Sequence, residues 1–210
     1  MKVFLAALAA VLPAYLLGSV NGAIITSMSL YRRDIRKFGS GNPGLTNFYR
    51  VFGKSGALLV IIVDIAKTVG PVMFSGWVFG RLFDMTILGR TLAGFFVMLG
   101  HCWPVFYGFK GGKGVLAAGS IIFVLDWRIA LVTWGSFIVL TAATRYVSLA
   151  AMLGSTLYPI SMLIFRIGDW KEFAAALACS LLLIARHQEN IRRLIKGEES
   201  KLDLHNSRKR

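Results

Sequence analysis

Apolar runs recur from one end of this chain to the other, and they are continuous, not alternating. In hydrocarbon every backbone N–H and C=O must find a partner within the protein, so only helices or a closed barrel can span it. Barrel strands alternate apolar and polar side chains. Hydrophobic residues make up 56% of the 210 positions and mean hydropathy is +0.64, above the level of soluble domains. An all-α integral membrane protein follows.

With about 20 residues needed per crossing, the pattern predicts helices near 3–30, 55–79, 86–106, 115–127, 129–145, 147–166 and 172–193. That is a seven-helix bundle, in which the fourth segment is short enough to be a half-span or a tilted one. Merging or dropping short pieces gives a five-helix alternative. Met1-Lys2 before an apolar stretch to Gly18 reads as a retained first helix, since one leading charge and no cleavage site do not make a signal peptide. Residues 1–200 are expected to form a single polytopic membrane domain and 201–210 a basic cytoplasmic tail that leans on anionic lipid.

The net charge of +14 does not point to nucleic acid, because the basic residues sit between apolar spans and not on one face of a soluble domain. With the amino terminus outside, one set of loops collects Arg32, Arg33, Arg36, Lys37, Arg50, Lys54, Lys110, Lys113, Arg145 and everything basic from Arg186 onward. The other set holds Lys2, Arg81, Arg90, Arg128, Arg166 and Lys171. Positive-inside asymmetry therefore puts the first set in the cytoplasm and favours an odd number of spans. Cys102 and Cys179 lie inside apolar runs and read as small core residues, with no Cys-x-x-Cys or Cys/His cluster for a metal.

Three polar islands break the apolar pattern, and all fall on the basic side: Gly39–Asn47, Gly108–Gly114 and Arg186–Arg193. Glycine lets backbone amides approach a ligand, and Lys or Arg supplies the charge that phosphate oxygens seek. In the first island Asn42-Pro43 predicts a helix start, an amide cap followed by proline, with Asn47 and Arg50 on one face and the dipole aimed at Ser40-Gly41. In the second, Lys113 sits between glycines directly before a helix, so Gly111, Gly112, Gly114 and Lys113 are expected to converge on one oxyanion, with Lys110 beside them. In the third, His187 and Asn190 share a helix face while Glu189 and Arg193 form a supporting pair. His101, just before Trp103-Pro104, is expected to orient the second island, and Asp64 with Lys67 to pair inside the second span.

Familiar nucleotide motifs do not fit. Gly39-x-Gly41-x-x-Gly44 follows no strand, and Gly112-Lys113 lacks both a glycine at position 107 and a following Ser or Thr. The residues five after His101, His187 and His205 are Phe106, Arg192 and Arg210, so the His-x-x-x-x-Asp signature of CoA- and carrier-protein-dependent acyltransferases is absent. No internal repeat is visible, which weighs against duplicated transporter folds.

Tyr15–Ser19, Gly39–Arg50, Gly100–Val105 running into Gly108–Gly114, and Arg186–Ile191 with Gly197-Glu198-Glu199 together resemble the bacterial acyl-phosphate:glycerol-3-phosphate acyltransferases, the PlsY family. The likeness runs nearly end to end. It departs at Leu45, where many relatives have alanine, and at Val20-Asn21-Gly22, which replaces a proline-containing turn.

The resemblance implies a multi-pass enzyme of the bacterial inner membrane with its site on the cytoplasmic side. It would move a fatty acyl group from acyl phosphate to glycerol 3-phosphate, giving lysophosphatidic acid and inorganic phosphate, the first acylation of phospholipid synthesis. Its catalytic residues would fall on Ser40, Arg50, Lys113, His187 and Asn190, with substrate-binding Gly39, Gly41, Asn42, Thr46, Asn47, Lys110, Gly111, Gly112 and Gly114 and supporting His101 and Glu199. Acyl phosphate is already an activated anhydride, so no metal, nucleotide or other cofactor is required. Either His187 or the substrate's own phosphate is the base, and the resemblance favours the latter. The competing classes are a membrane carrier for a phosphorylated small molecule and a lipid-binding scaffold. The first lacks a charged path across the bundle beyond Asp64 and Lys67, and the second has no need of amides and glycines.

Overall fold

The computed structural model describes residues 2–165 and 167–202, with side chains from residue 7 onward. Most of the expected basic tail, and Arg166, lie outside the described residues. Among the described residues ten α-helices follow one another: α1 (Lys2–Gly18), α2 (Gly22–Tyr31), α3 (Leu45–Phe52), α4 (Lys54–Phe83), α5 (Thr86–Cys102), α6 (Val115–Leu125), α7 (Trp127–Thr144), α8 (Val147–Phe165), α9 (Trp170–Ala185) and α10 (Gln188–Ile195). Among the described residues there is no strand. Four stretches of the described residues, Ala7–Tyr31, Lys54–Phe83, Trp127–Thr144 and Val147–Phe165, are long and apolar enough to cross a membrane by themselves.

Three expected helices differ from those observed, each for a local reason. The segment near 3–30 is split into α1 and α2 at Ser19-Val20-Asn21. Polar groups freed at such a break inside lipid need partners. Asn21 Oδ1 accepts from the Ile24 N–H at 3.0 Å, the Gly22 N–H donates to Asp64 Oδ1 at 3.1 Å, and Lys67 Nζ donates to the Val20 carbonyl at 2.5 Å. The Asp64–Lys67 ion pair, 2.8 Å apart with side chains 2% and 3% exposed, thus sits where the broken helix needs one acceptor and one donor. Lys67 also contacts His101 Nδ1 at 2.8 Å.

The second difference is at Pro43. Its carbonyl accepts from Asn21 Nδ2 at 3.1 Å, and the first helical bond of α3 runs from the Phe48 N–H to the Gly44 carbonyl. The helix therefore begins at Leu45 with Gly44 as its cap, and Asn42 is not the cap. Third, the segment near 172–193 turns at Arg186-His187 and resumes as α10. His187 Nδ1–H donates to the Leu183 carbonyl at 2.7 Å, which ties the ring back to the last turn of α9.

Close helix crossings rest on small residues, as lipid-embedded bundles require. A Cβ on Gly100 would come 2.2 Å from the Tyr15 carbonyl oxygen, so α1 and α5 meet backbone to backbone. The main core gathers Val97, Met98, Ile121, Ile129, Tyr158, Met162 and Leu183, all buried, around α5 and α6. A second cluster of Ile24, Ile35, Phe48 and Val60 seats α3 and the first polar island on α2 and α4. The short α6, 11 residues or about 16 Å at the helical rise, is anchored at its far end by Arg90, whose guanidinium donates to the Val124 carbonyl at 2.9 Å.

Candidate active site

The first island is a chain reversal that only its glycines allow. Gly39 and Gly41 have φ of +58° and +71°, in the left-handed region. Asn47, on the first turn of α3, holds this reversal: its Oδ1 accepts from the Ser40 N–H at 2.9 Å and its Nδ2 donates to the Phe38 carbonyl at 3.0 Å. Ser40, Asn42, Thr46 and Arg50 are thereby turned toward a cavity of about 530 Å³ between α3, the start of α6, α8 and α10.

Lys113 and Gly114, from the loop before α6, also line this cavity. Lys113 donates to Asn190 Oδ1 across a very short contact. Asn190 Nδ2 in turn donates to Glu199 Oε1 at 2.6 Å. The same carboxylate accepts from Ser148 Oγ at 2.5 Å and from Arg193 Nε at 2.7 Å, and Arg193 keeps a looser 3.9 Å contact with Glu189. Arg50 closes the rim by donating to the Ser200 carbonyl at 3.1 Å. Residues after α10 are held down by Arg145, which both accepts from the Leu202 N–H at 2.7 Å and donates to its carbonyl at 3.1 Å.

The wall of this one cavity includes Gly39, Ser40, Asn42, Thr46, Asn47, Arg50, Lys113, Gly114, His187, Asn190, Glu199 and, at its floor, His101 and Asp64. Gly41, Lys110, Gly111 and Gly112 are not part of it. Lys110 is exposed. Gly111 and Gly112 lie behind Lys113 against the end of α5, where the Gly112 N–H donates to the His101 carbonyl at 3.0 Å and so is turned away from any ligand. A Cβ at Gly111 would stand 2.1 Å from that carbonyl oxygen, and one at Gly112 would stand 2.3 Å from His101 Nε2. These glycines are there for close packing, which places the lysine.

Sequence reading did not single out Ser148 or Ser200 and treated Arg193 as helix support. Ser148 is a lone serine in an apolar run, with no local signal. Arg193 carries a readable one, since it stands three residues after Asn190 on the same helix and so lies beside it on the surface of α10.

Arg50, Lys113 and Arg193 against Asp64 and Glu199 leave the lining net positive. Burial lowers the Lys113 ammonium below its usual range, helped by the nearby Arg193 charge. Burial likewise lowers Arg50, though a guanidinium stays charged at any physiological pH. Burial pushes His187 down to about 4, outweighing the bond to Leu183, and the Lys113 charge adds to the depression. The imidazole is neutral near pH 7, with its proton on Nδ1 and a free lone pair on Nε2. Glu199 is raised by burial, but the bonds from Ser148, Arg193 and Asn190 outweigh that and hold it below the usual carboxylate range. Among the described residues no three His, Cys, Asp or Glu side chains gather as a metal would require.

Beyond Val115, Trp134, Phe137 and Ala151 the polar cavity adjoins an apolar cleft between α6, α7, α8 and α9 that reaches Ile122, Tyr158 and Leu183. A basic, amide-lined cavity set beside an apolar cleft, in a bundle of apolar helices, defines a multi-pass membrane protein whose site has the chemistry to hold an anion. The family profile described as glycerol-3-phosphate acyltransferase matches residues 8–197. A protein of that name from Albidiferax ferrireducens is 41% identical over 93% of this chain and 88% of its own length. One from Ralstonia pickettii is 38% identical over 91% of each. The crystal structure of PlsY, an integral membrane glycerol 3-phosphate acyltransferase, superimposes in its glycerol 3-phosphate form with a TM-score of 0.83 at 34% identity, covering 94% of this chain and 96% of that one. Its lysophosphatidic acid form gives 0.81 at 32% identity, covering 96% and 97%. This chain belongs to the glycerol-3-phosphate acyltransferase family.

Proposed function

We propose that this protein transfers a fatty acyl group from acyl phosphate to the first hydroxyl of glycerol 3-phosphate, releasing lysophosphatidic acid and inorganic phosphate. The observation that carries the reading is the meeting of Ser40, Arg50, Lys113, His187 and Asn190 on one cavity beside an apolar cleft. Two phosphorylated substrates need two cationic contacts, and Arg50 and Lys113 both line the cavity, one from α3 and the other from the loop before α6. The acyl tail lies in the cleft toward Tyr158, with its carbonyl near the polar end.

The hydroxyl oxygen attacks the acyl carbon, the bond from that carbon to the phosphate oxygen breaks, and phosphate departs with the electron pair. Held charges stabilise the developing oxyanion, and fixed geometry does the rest. Neutral His187 orients the hydroxyl by accepting its hydrogen bond at Nε2. With its pKa near 4 it is a weaker proton acceptor than a phosphate whose second pKa is about 6, so the proton passes to phosphate.

In this reading the chain makes seven crossings, with α1 and α2 as one broken span, then α4, α5, the short α6, α7, α8 and α9. The grouping of Lys and Arg in the loops that carry the cavity supports a cytoplasmic-facing site. Purified protein supplied with acyl phosphate and glycerol 3-phosphate should release phosphate and form lysophosphatidic acid in equal amounts. Phosphate release without the acylated product, or no release, would overturn the proposal.

A further inference from the structure

Arg186 is not on the cavity wall, yet its side chain is engaged with the chain around that wall. It caps the end of α9, and its guanidinium reaches the loop before Lys113. Nε donates to the Gly112 carbonyl and an Nη to the Gly111 carbonyl, each at 3.3 Å. The plane of the same group lies over the Trp103 ring, 5.2 Å from its centroid. On its other side the loop is pressed on the end of α5, with the Gly112 N–H on the His101 carbonyl.

We propose that Arg186 is a positioning residue for the acyl transfer: it clamps the Gly111-Gly112 backbone against α5 and so fixes where Lys113 delivers its charge. Lys113 is then held at two points by one segment of chain. Arg186 grips the backbone just before it, and Asn190, four residues along, takes its ammonium. A planar fork is needed for this. Two adjacent carbonyls and an aromatic face are matched by the planar guanidinium fork, while an ammonium carries its three donors on one atom and has no flat face to lay on the Trp103 ring. The glycines complete the device, because any side chain at 111 or 112 would fill the gap against His101.

The inference rests on the acyl-transfer reading above, and it is tested on the detergent-purified full chain. Wild type, Arg186→Lys, Trp103→Leu and Lys113→Arg are compared for kcat, for KM of each phosphorylated substrate, and for thermal midpoint. Arg186→Lys keeps the charge and loses the fork, so kcat/KM should fall about 10- to 100-fold, the scale of a misplacement near 1 Å. The increase in KM should fall on the same substrate as in Lys113→Arg, with a thermal midpoint close to wild type. Trp103→Leu, which removes only the stacking face, should shift the same KM by a smaller factor and serves if Arg186→Lys does not fold. Wild-type kinetics in Arg186→Lys, or losses spread over both substrates in step with a lowered midpoint, would overturn the clamp. An inactive wild type would instead overturn the acyl-transfer reading and this inference with it.

Discussion

Lys113 and Asn190 are 77 positions apart in the chain, yet the ammonium of one is hydrogen-bonded to the side-chain oxygen of the other. Asn190 cannot swing to follow a different partner, because its amide nitrogen is tied to Glu199. The cation is therefore aimed before any substrate arrives, which is what electrostatic catalysis in a water-poor site requires.

Removing that charge should be the most damaging single change. Lys113→Ala is expected to lose roughly 10²- to 10³-fold in turnover, and Asn190→Ala about 10- to 100-fold through misplacement of the lysine. Phosphate release in detergent measures both. Near wild-type turnover in Lys113→Ala would remove the lysine from the chemistry.

Glu199 should show itself through stability and pH. Its carboxylate accepts from Ser148, Asn190 and Arg193 at once, and its pKa is held below the usual range. A depressed carboxyl stabilises the fold fully above its unfolded value, near 4.3, and loses that contribution as pH falls through the lower folded value. Glu199→Gln should thus unfold roughly 2–8 °C below wild type at neutral pH. The gap should hold above about pH 5 and close below about pH 4. A gap that widens on acidification would contradict the assignment.

Much of this was legible in the sequence because membrane helices obey a length rule and a composition rule at once. The apolar segments, the grouping of Arg and Lys, and the Asp64–Lys67 spacing could all be read from one dimension. What could not be read was the fate of individual backbone groups. The break at Val20 depends on a lysine 47 positions away, and the late start of α3 depends on Asn21 taking the Pro43 carbonyl. The same holds in the site. Gly112 and Gly114 look alike in a Gly-Gly-Lys-Gly run, but one donates its N–H inward to α5 while the other lines the cavity. Spacing identifies a loop built for close approach without saying whether a ligand or another helix approaches.

That difference gives the glycines distinct expected phenotypes. A Cβ at Gly111 meets a backbone oxygen at 2.1 Å and Pro104 at 2.5 Å, neither free to move. At Gly112 it meets the His101 ring at 2.3 Å, which can give way only by leaving Lys67. Gly111→Ala and Gly112→Ala should each cost about 1–3 kcal/mol, with Gly111→Ala the worse. Gly70→Ala, in α4 with open space around it, should be neutral or stabilising by up to about 1 kcal/mol. Thermal unfolding in detergent ranks the three; equal midpoints would mean that the loop is not packed as described.

The proton's destination can be read from pH dependence. Burial and the Lys113 charge put His187 near 4, so it stays neutral from about pH 5.5 upward and contributes no inflection near its usual value of about 6.5. A substrate phosphate with second pKa of about 6 would give an inflection there, and it would belong to the substrate. Turnover of His187→Gln should therefore be reduced, because a flexible amide without the ring's bond to Leu183 no longer fixes the hydroxyl's acceptor in place, while its pH profile keeps the same inflection. If the inflection vanished in His187→Gln, or if His187→Ala kept its affinity for glycerol 3-phosphate, lost turnover and regained it with added imidazole, then the imidazole and not the phosphate would be the base.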